Sequence, residues 1–182
     1  MMGDDTLEIK DVAGAKLKIR IKALLWEWVF ISMYLIALLF LALLFYYFVI
    51  GSIPAFSETQ SQWIAFLTSI LPIICIFTFW ECKSHYASLG KRKIGLMVRY
   101  RQNPIRGSII RNVLKFLPWQ LGHMSTIRGM YYGYESILTL VLYGLSVTLP
   151  LVYILMVAIR MDHRHLPDIM AGSIVVKLTL KP

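Results

Sequence analysis

Cysteine is scarce in this 182-residue chain: there are two, Cys75 and Cys82. At about 1.5 Å of rise per helical residue their seven-residue separation is roughly 10 Å, beyond the reach of a disulfide. Neither a disulfide framework nor a cysteine metal site is therefore expected. Acids are also few, ten against nineteen Lys and Arg. The phosphate-loop pattern is missing, because the Gly-Lys pair of "ASLGKRKIGLMV" lacks its upstream glycine and a strand before it. No serine stands in an elbow-like context for Ser/His/Asp hydrolysis. "DHRHLPD" sets His163 and His165 only two apart among arginines, which argues against a metal site. Solenoid repeats, low-complexity tracts and a separate polar domain are lacking as well. The reading is one domain, with no enzyme, metal or cofactor.

What is abundant is apolar surface. Hydrophobic residues make up 58% of the chain and mean hydropathy is +0.64, above the roughly 45–50% apolar share of soluble domains. This composition predicts an all-α integral membrane protein. Charge is absent from Trp28–Ile50, Trp63–Trp80 and Ser136–Ile159, each close to the roughly 20 apolar residues that cross a bilayer. The net charge of +9 flanks these runs instead of lining a polar domain, so it reads as topology and contact with anionic lipid headgroups, not as nucleic-acid binding.

Between the first two runs "GSIPAFSETQSQ" holds no Lys or Arg, whereas residues 1–22 carry Lys10, Lys16, Lys18, Arg20 and Lys22, and residues 83–115 carry nine basic side chains. The positive-inside rule places residues 1–22 and the 83–108 loop in the cytoplasm and 51–62 outside. Residues 1–22 are too polar for a cleavable signal and read as an arm leading into an uncleaved first span. The expected spans are about 23–50, 63–81, 109–127 and 136–159. The third is short and amphipathic, and two placements stay open: it crosses, giving four spans with N- and C-termini cytoplasmic, or it lies on the surface and leaves residues 160–182 outside.

Alternation of apolar and polar residues at 94–101 and 173–180 predicts a small two-stranded cytoplasmic pairing, with "DIMAGSIVV" as the hinge into the second strand and Gly172 permitting close backbone approach. Several polar residues then stand out. Glu27 lies inside the first span, where an ionised acid is costly without a partner. Its bland reading is an interfacial acid between two tryptophans; its functional reading needs a basic partner from elsewhere, with Arg111, Lys115 and Lys91 as candidates, since Arg20 is two turns away. Arg111 and Lys115 otherwise snorkel to the cytoplasmic surface. Glu81 and His123 complete the candidates, His123 as a buried imidazole or a plain contact between helices. The region of His163, Arg164 and His165 reads as a solvated, basic helix end.

Four segments in order resemble the RDD family of small multi-pass, mostly bacterial membrane proteins: "AGAKLKIRIKALLWEWVFI", "ASLGKRKIGLMV", "RGSIIRNVLKFLPWQLGHM" and "RHLPDIMAGSIVV". The resemblance puts the family's Arg on Arg20, its second Asp on Asp168 and its first Asp on Glu27, one methylene longer. Pro167 stands where His is common, and Ser173 where Thr is common. It implies a multi-pass plasma-membrane protein whose polar residues Arg20, Glu27, Arg111 and Asp168 work together. The implied function is a small transporter or transporter component, with cation–proton exchange as one form. The alternative is a non-catalytic accessory or regulatory module that binds a membrane protein partner. A homodimer through Gly144 and Thr148 is a further expectation. Asp168 is expected to be tied to a basic side chain, Arg20 or Arg111 first.

The charge asymmetry has a direct test. In a cysteine-free background, cysteine at position 93 or 181 is labelled by an impermeant reagent only from the cytoplasmic side, and cysteine at position 59 only from outside. Labelling of position 181 from outside selects the surface placement of the third helix.

Overall fold

The computed structural model describes residues 14–83 and 86–177. The expectations for residues 1–13, for 178–180 of the second strand and for Lys181 fall outside the described residues. Four long helices alternate in direction. Helix α1 (Leu17–Ile50) closes on a wide π-helical turn at Tyr46–Ile50, and α2 (Glu58–Cys82) contains another at Phe66–Ile70. Gly51, at φ +75°, breaks the first helix. Ser57 starts the second by a reciprocal capping box with Gln60, which satisfies amide groups that have no partner inside the helix. Next come a short α3 (Leu89–Lys93), strand β1 (Leu96–Tyr100) and the long α4 (Pro104–Tyr132), which Asn103 caps by accepting from the Ile105 and Arg106 amides. Helix α5 (Ile137–Ile159), a short α6 (Leu166–Met170) and β2 (Ser173–Lys177) complete the order.

Helices α1, α2 and α5 are long and apolar enough to cross a membrane. Helix α4 corrects the expectation of a short third element: its 29 residues extend roughly 44 Å at about 1.5 Å each. It follows the bundle from end to end. Near its start Ser108 Oγ donates to the Thr78 carbonyl at 3.0 Å, and near its finish Tyr131 Oη donates to the Phe56 carbonyl at 2.6 Å. The polar residues that made it read as short and amphipathic face neighbouring helices: Ser108, Arg111, Asn112 and Ser125 are all buried.

Of the three prolines inside these helices, Pro72, Pro118 and Pro150, the first two create a common problem with a common solution. Proline has no N–H to give the carbonyl four residues back, and in an apolar medium an unserved carbonyl costs free energy. Pro118 leaves the Leu114 carbonyl, which accepts from Tyr153 Oη of α5 at 3.2 Å; Pro72 leaves that of Thr68, which accepts from Tyr34 Oη of α1 at 2.5 Å. Each defect in one helix thus becomes a bond to another.

At the end of the bundle where α1 and α4 begin, the strands form an antiparallel pair, Leu96 facing Lys177, Val98 facing Val175 and Tyr100 facing Ser173. The pairing is the expected one, but the alternation of β2 is not: Ser173, Ile174, Val175 and Val176 are buried in succession, and Lys177, not Val176, stands opposite Leu96. The Ala15 amide donates to the Val175 carbonyl at 2.8 Å, and Ala15, Ala23, Leu96, Val98 and Val175 bury a common core. Two strands alone are marginal; this pair is held because α1 and the segment before it cover one face. Gly172, at φ +58°, makes the turn into β2. A second core, deeper in the bundle, joins Ile31, Ile73, Phe77 and Phe116.

Replacing Tyr153 by Phe should cost about 1–3 kcal/mol, the expected penalty for an unsatisfied buried polar group. Thermal unfolding in detergent checks this, and Pro118→Ala supplies the control. With the missing N–H restored, Tyr153→Phe should cost much less. Equal losses in both backgrounds would show that the hydroxyl does not compensate the proline.

Candidate functional site

Between the strand pair and the aromatic core, seven charged side chains form one alternating chain. Lys115 lies 2.6 Å from Glu27, Glu27 2.5 Å from Lys91, and Lys91 2.9 Å from Glu81. Glu81 then lies 2.5 Å from Arg111, Arg111 2.7 Å from Asp168, and Asp168 2.7 Å from Arg20. Every acid holds two cations, Lys91 and Arg111 each hold two acids, and the two ends, Lys115 and Arg20, hold one acid each. Glu27, Glu81, Arg111 and Asp168 are 0–2% exposed. A buried carboxylate costs several kcal/mol unless it is paired and hydrogen-bonded, and here each carboxylate oxygen of Glu27 faces an ammonium.

Local sequence explains how the partners arrive. Arg20 and Glu27 are seven residues apart, two turns on one helical face. Lys91 enters on α3, whose Gly90 lies against α1: a Cβ there would stand 2.3 Å from the Ala23 carbonyl oxygen and 2.9 Å from the Glu27 amide nitrogen. No side chain fits, and the close approach carries Lys91 to Glu27. Ser88, just before α3, adds its hydroxyl to the same carboxylate. The neighbours Arg111 and Asn112 both reach Glu81, the amide Nδ2 at 3.1 Å. Asp168 sits in the first turn of α6 behind Pro167, where the Asp168 amide donates to His165 Nδ1 at 3.1 Å. Arg164 binds the carbonyls of Ser173 and Asp168 at 2.8 and 3.2 Å, which holds the turn closed around the acid.

Burial works to raise the Asp168 pKa, but the charge that His165 carries once protonated, with those of Arg20 and Arg111, outweighs it and holds the carboxyl well below its usual range. His165 goes the other way for a base. Burial pushes its imidazole down to about 3, with Arg20 and Arg111 adding to the effect against the pull of Asp168. At neutral pH the ring is therefore uncharged, in keeping with Nδ1 accepting from an amide, and the two guanidiniums are what hold the carboxylate.

Several expectations need correction. Glu27 does not reach headgroup level between its tryptophans; it is buried under Lys91, Lys115 and Ser88. Arg111 and Lys115 do not snorkel, because acids are available inside. The stretch around His163–Asp168 is no solvated helix end but the clasp on Asp168, and beside it Arg160 and Asp162 pair at the surface. The structure brings together Arg20, Glu27, Glu81, Lys91, Arg111, Lys115 and Asp168. His123 stands apart, half-buried with its ring 5.6 Å from Trp119. The central place of Glu81 was hidden in a plain "FWEC" helix end, whose one signal is an acid closing an apolar run. Cys75 and Cys82 are free, and no group of metal-binding residues occurs among the described residues.

A cleft of about 450 Å³ opens between α1, α4 and α5. Arg20, Glu27, Lys91, Arg111, Lys115 and His165 line its charged end, and Trp28, Ile31, Phe116, Trp119 and Ile154 line the remainder. The chain's sequence matches that of the RDD family over residues 14–172. No curated protein and no solved structure matches it.

Removing one partner of a buried pair leaves the other charge uncompensated, at about 3–5 kcal/mol. Asp168→Ala should therefore lower thermal stability in detergent far more than Asp162→Ala. In a double-mutant cycle Arg20→Ala should cost less once Asp168 is gone, and strictly additive losses would contradict the pairing.

His165 carries a second expectation. Its folded pKa lies below its unfolded value of 6.5, so only the unfolded chain takes up a proton as pH falls from 6.5 toward 3, and stability is lost over that window. Asp168 stays ionised in both states near pH 6 and contributes no slope there. Melting temperatures at pH 7 and 5 should differ less in His165→Asn than in the parent; an unchanged difference would count against a neutral, buried ring.

Proposed function

This chain belongs to the RDD family of membrane proteins, and we propose that it is a non-catalytic, membrane-embedded binding module that takes an anionic group at the charged end of its cleft. One observation carries this reading: the alternating chain begins and ends on a cation, Lys115 and Arg20, and both ends line the cleft. Among the described residues, four cations against three acids leave an excess positive charge beside an apolar space. An anion offsets that excess, and a metal cation adds to it.

Cation–proton exchange is the second reading, favoured by the presence of Glu27 on the cleft wall. Exchange requires Glu27 to give up a proton and take a cation in turn. Its two oxygens already accept from Lys91, Lys115 and Ser88, so a cation would have to displace two ammonium groups. The tie of α1 to α3 and α4 through Glu27 would be broken in the same step.

In this proposal α4 crosses with the other three helices. Its full-length course beside α2 and α5 supports that placement, as do its buried polar residues. Both ends of the chain then lie on the cytoplasmic side of the plasma membrane, together with the charged chain and the strand pair.

Protein reconstituted in sealed vesicles around a pH-sensitive dye tests the choice. On addition of Na⁺, K⁺ or Li⁺ the folded protein should move no protons beyond protein-free vesicles. Cation-dependent proton movement that Glu27→Gln abolishes would overturn the binding-module reading in favour of exchange.

A further inference from the structure

The cleft has a lopsided chemistry that narrows what it can hold. Lys115 has three N–H donors and spends one on Glu27; its remaining surroundings include the faces of Phe77 and Phe116, 4.4 and 5.0 Å from the ammonium. Arg20 donates to Asp168 and to the His163 carbonyl, and like Lys115 it is partly open, at 11% and 14% side-chain exposure. Beyond these cations the walls are aromatic and aliphatic. A hydrophilic anion would satisfy the charged end and leave the apolar end unmatched.

The mouth of the cleft supplies the second constraint. Its rim residues Leu24, Trp28 and Ile154 are 37%, 57% and 43% exposed, and they belong to α1 and α5, two of the three helices apolar enough to cross a membrane. The opening therefore faces sideways, toward hydrocarbon. Its volume of about 450 Å³ falls within the roughly 300–1,000 Å³ of small-ligand sites. That is room for a headgroup region and part of one chain.

We propose that the cleft between α1 and the α4–α5 hairpin is a lateral binding site for one anionic glycerophospholipid, its phosphodiester held by Lys115 with Arg20 toward the headgroup, and an acyl chain lying along Trp119 and Gly122. The site differs from a basic surface attracting headgroups, because the lipid leaves the plane of its leaflet and enters the protein. The proposal rests on the anion-binding reading above and adds the class of ligand. Desolvation strengthens it physically: away from water an ammonium attracts a phosphate more strongly than at a surface.

Gly122 offers a test clear of the ion pairs. A Cβ there meets only Ser146, at 3.7 and 3.8 Å, ordinary contact distances, so Gly122→Leu fills the apolar end of the cleft and leaves the charged chain alone. The measurement is native mass spectrometry of the purified full chain in detergent. It is titrated with phosphatidylglycerol or with phosphatidylcholine of the same acyl chains, and melting temperature in lipid-free detergent is recorded as the control for folding.

Phosphatidylglycerol should bind about tenfold more tightly than phosphatidylcholine, a difference well within reach of one desolvated charge pair. Gly122→Leu should lose most of that binding and melt at the parent's temperature. Equal binding of the two lipids, or full phosphatidylglycerol binding by a folded Gly122→Leu, overturns the proposal. Should Gly122→Leu fail to fold, Ser146→Leu, beside Gly122 on α5 and lining the same cleft, takes its place under the same criteria. Glycerol 3-phosphate separates the two levels of the argument. If it raises the melting temperature in the parent and not in Lys115→Gln while phosphatidylglycerol shows no preference, the lipid proposal falls and the anion-binding reading stands. If neither ligand acts, both fall.

Discussion

The sharing of each buried carboxylate between two cations is the interaction on which the rest depends. Three acids removed from water would each cost several kcal/mol alone. Linked through Lys91 and Arg111, which bridge successive acids, they form a chain in which every interior charge has opposite neighbours on both sides. The segments that supply those charges are far apart in sequence: α1, the end of α2, α3, the start of α4 and the clasp at α6. Satisfying the charges and assembling this end of the bundle are therefore one event. The strand pair, marginal by itself, inherits its position from that assembly.

The same logic operates without charge deeper in the bundle. Pro72 and Pro118 interrupt the hydrogen-bond ladders of their helices, and tyrosine hydroxyls from neighbouring helices serve the carbonyls left over. A polar group that cannot reach water must find a partner in the protein. In both cases that demand converts local defects into contacts between helices. The cleft lies between α1, α4 and α5, with Pro118 and Pro150 in its lining and the charged chain at its end.

Read along the chain, Asp168 is an acid between a proline and an Ala-Gly-Ser turn, with nothing nearby to say why it is there. Its partners Arg20 and Arg111 lie far off in sequence, and the resemblance to the RDD family is what pointed to them. Glu27 could be singled out because an acid inside an apolar run is conspicuous. Its partners were narrowed to three cations, of which Lys91 and Lys115 bind it and Arg111 serves Glu81 and Asp168 instead. Glu81 lay at the edge of its run, where acids are ordinary, and its place at the centre of the charge chain was not visible.

Apolar transfer free energy adds up residue by residue over some twenty positions, and strand alternation is set by the two-residue period of the backbone. For that reason the three apolar helices, the basic flanks and the two strand segments were legible from the amino-acid order alone. Charge pairing has no such locality. Whether Lys115 snorkels or turns inward depends on whether an acid from another helix stands within a few ångströms, and which acid stands there depends on the packing of α1 against α3 and α4. Only the tertiary structure decided that, because Coulomb attraction acts on distance in space, and the distance between Arg20 and Asp168 is set by the fold, not by the 148 positions that separate them in the chain.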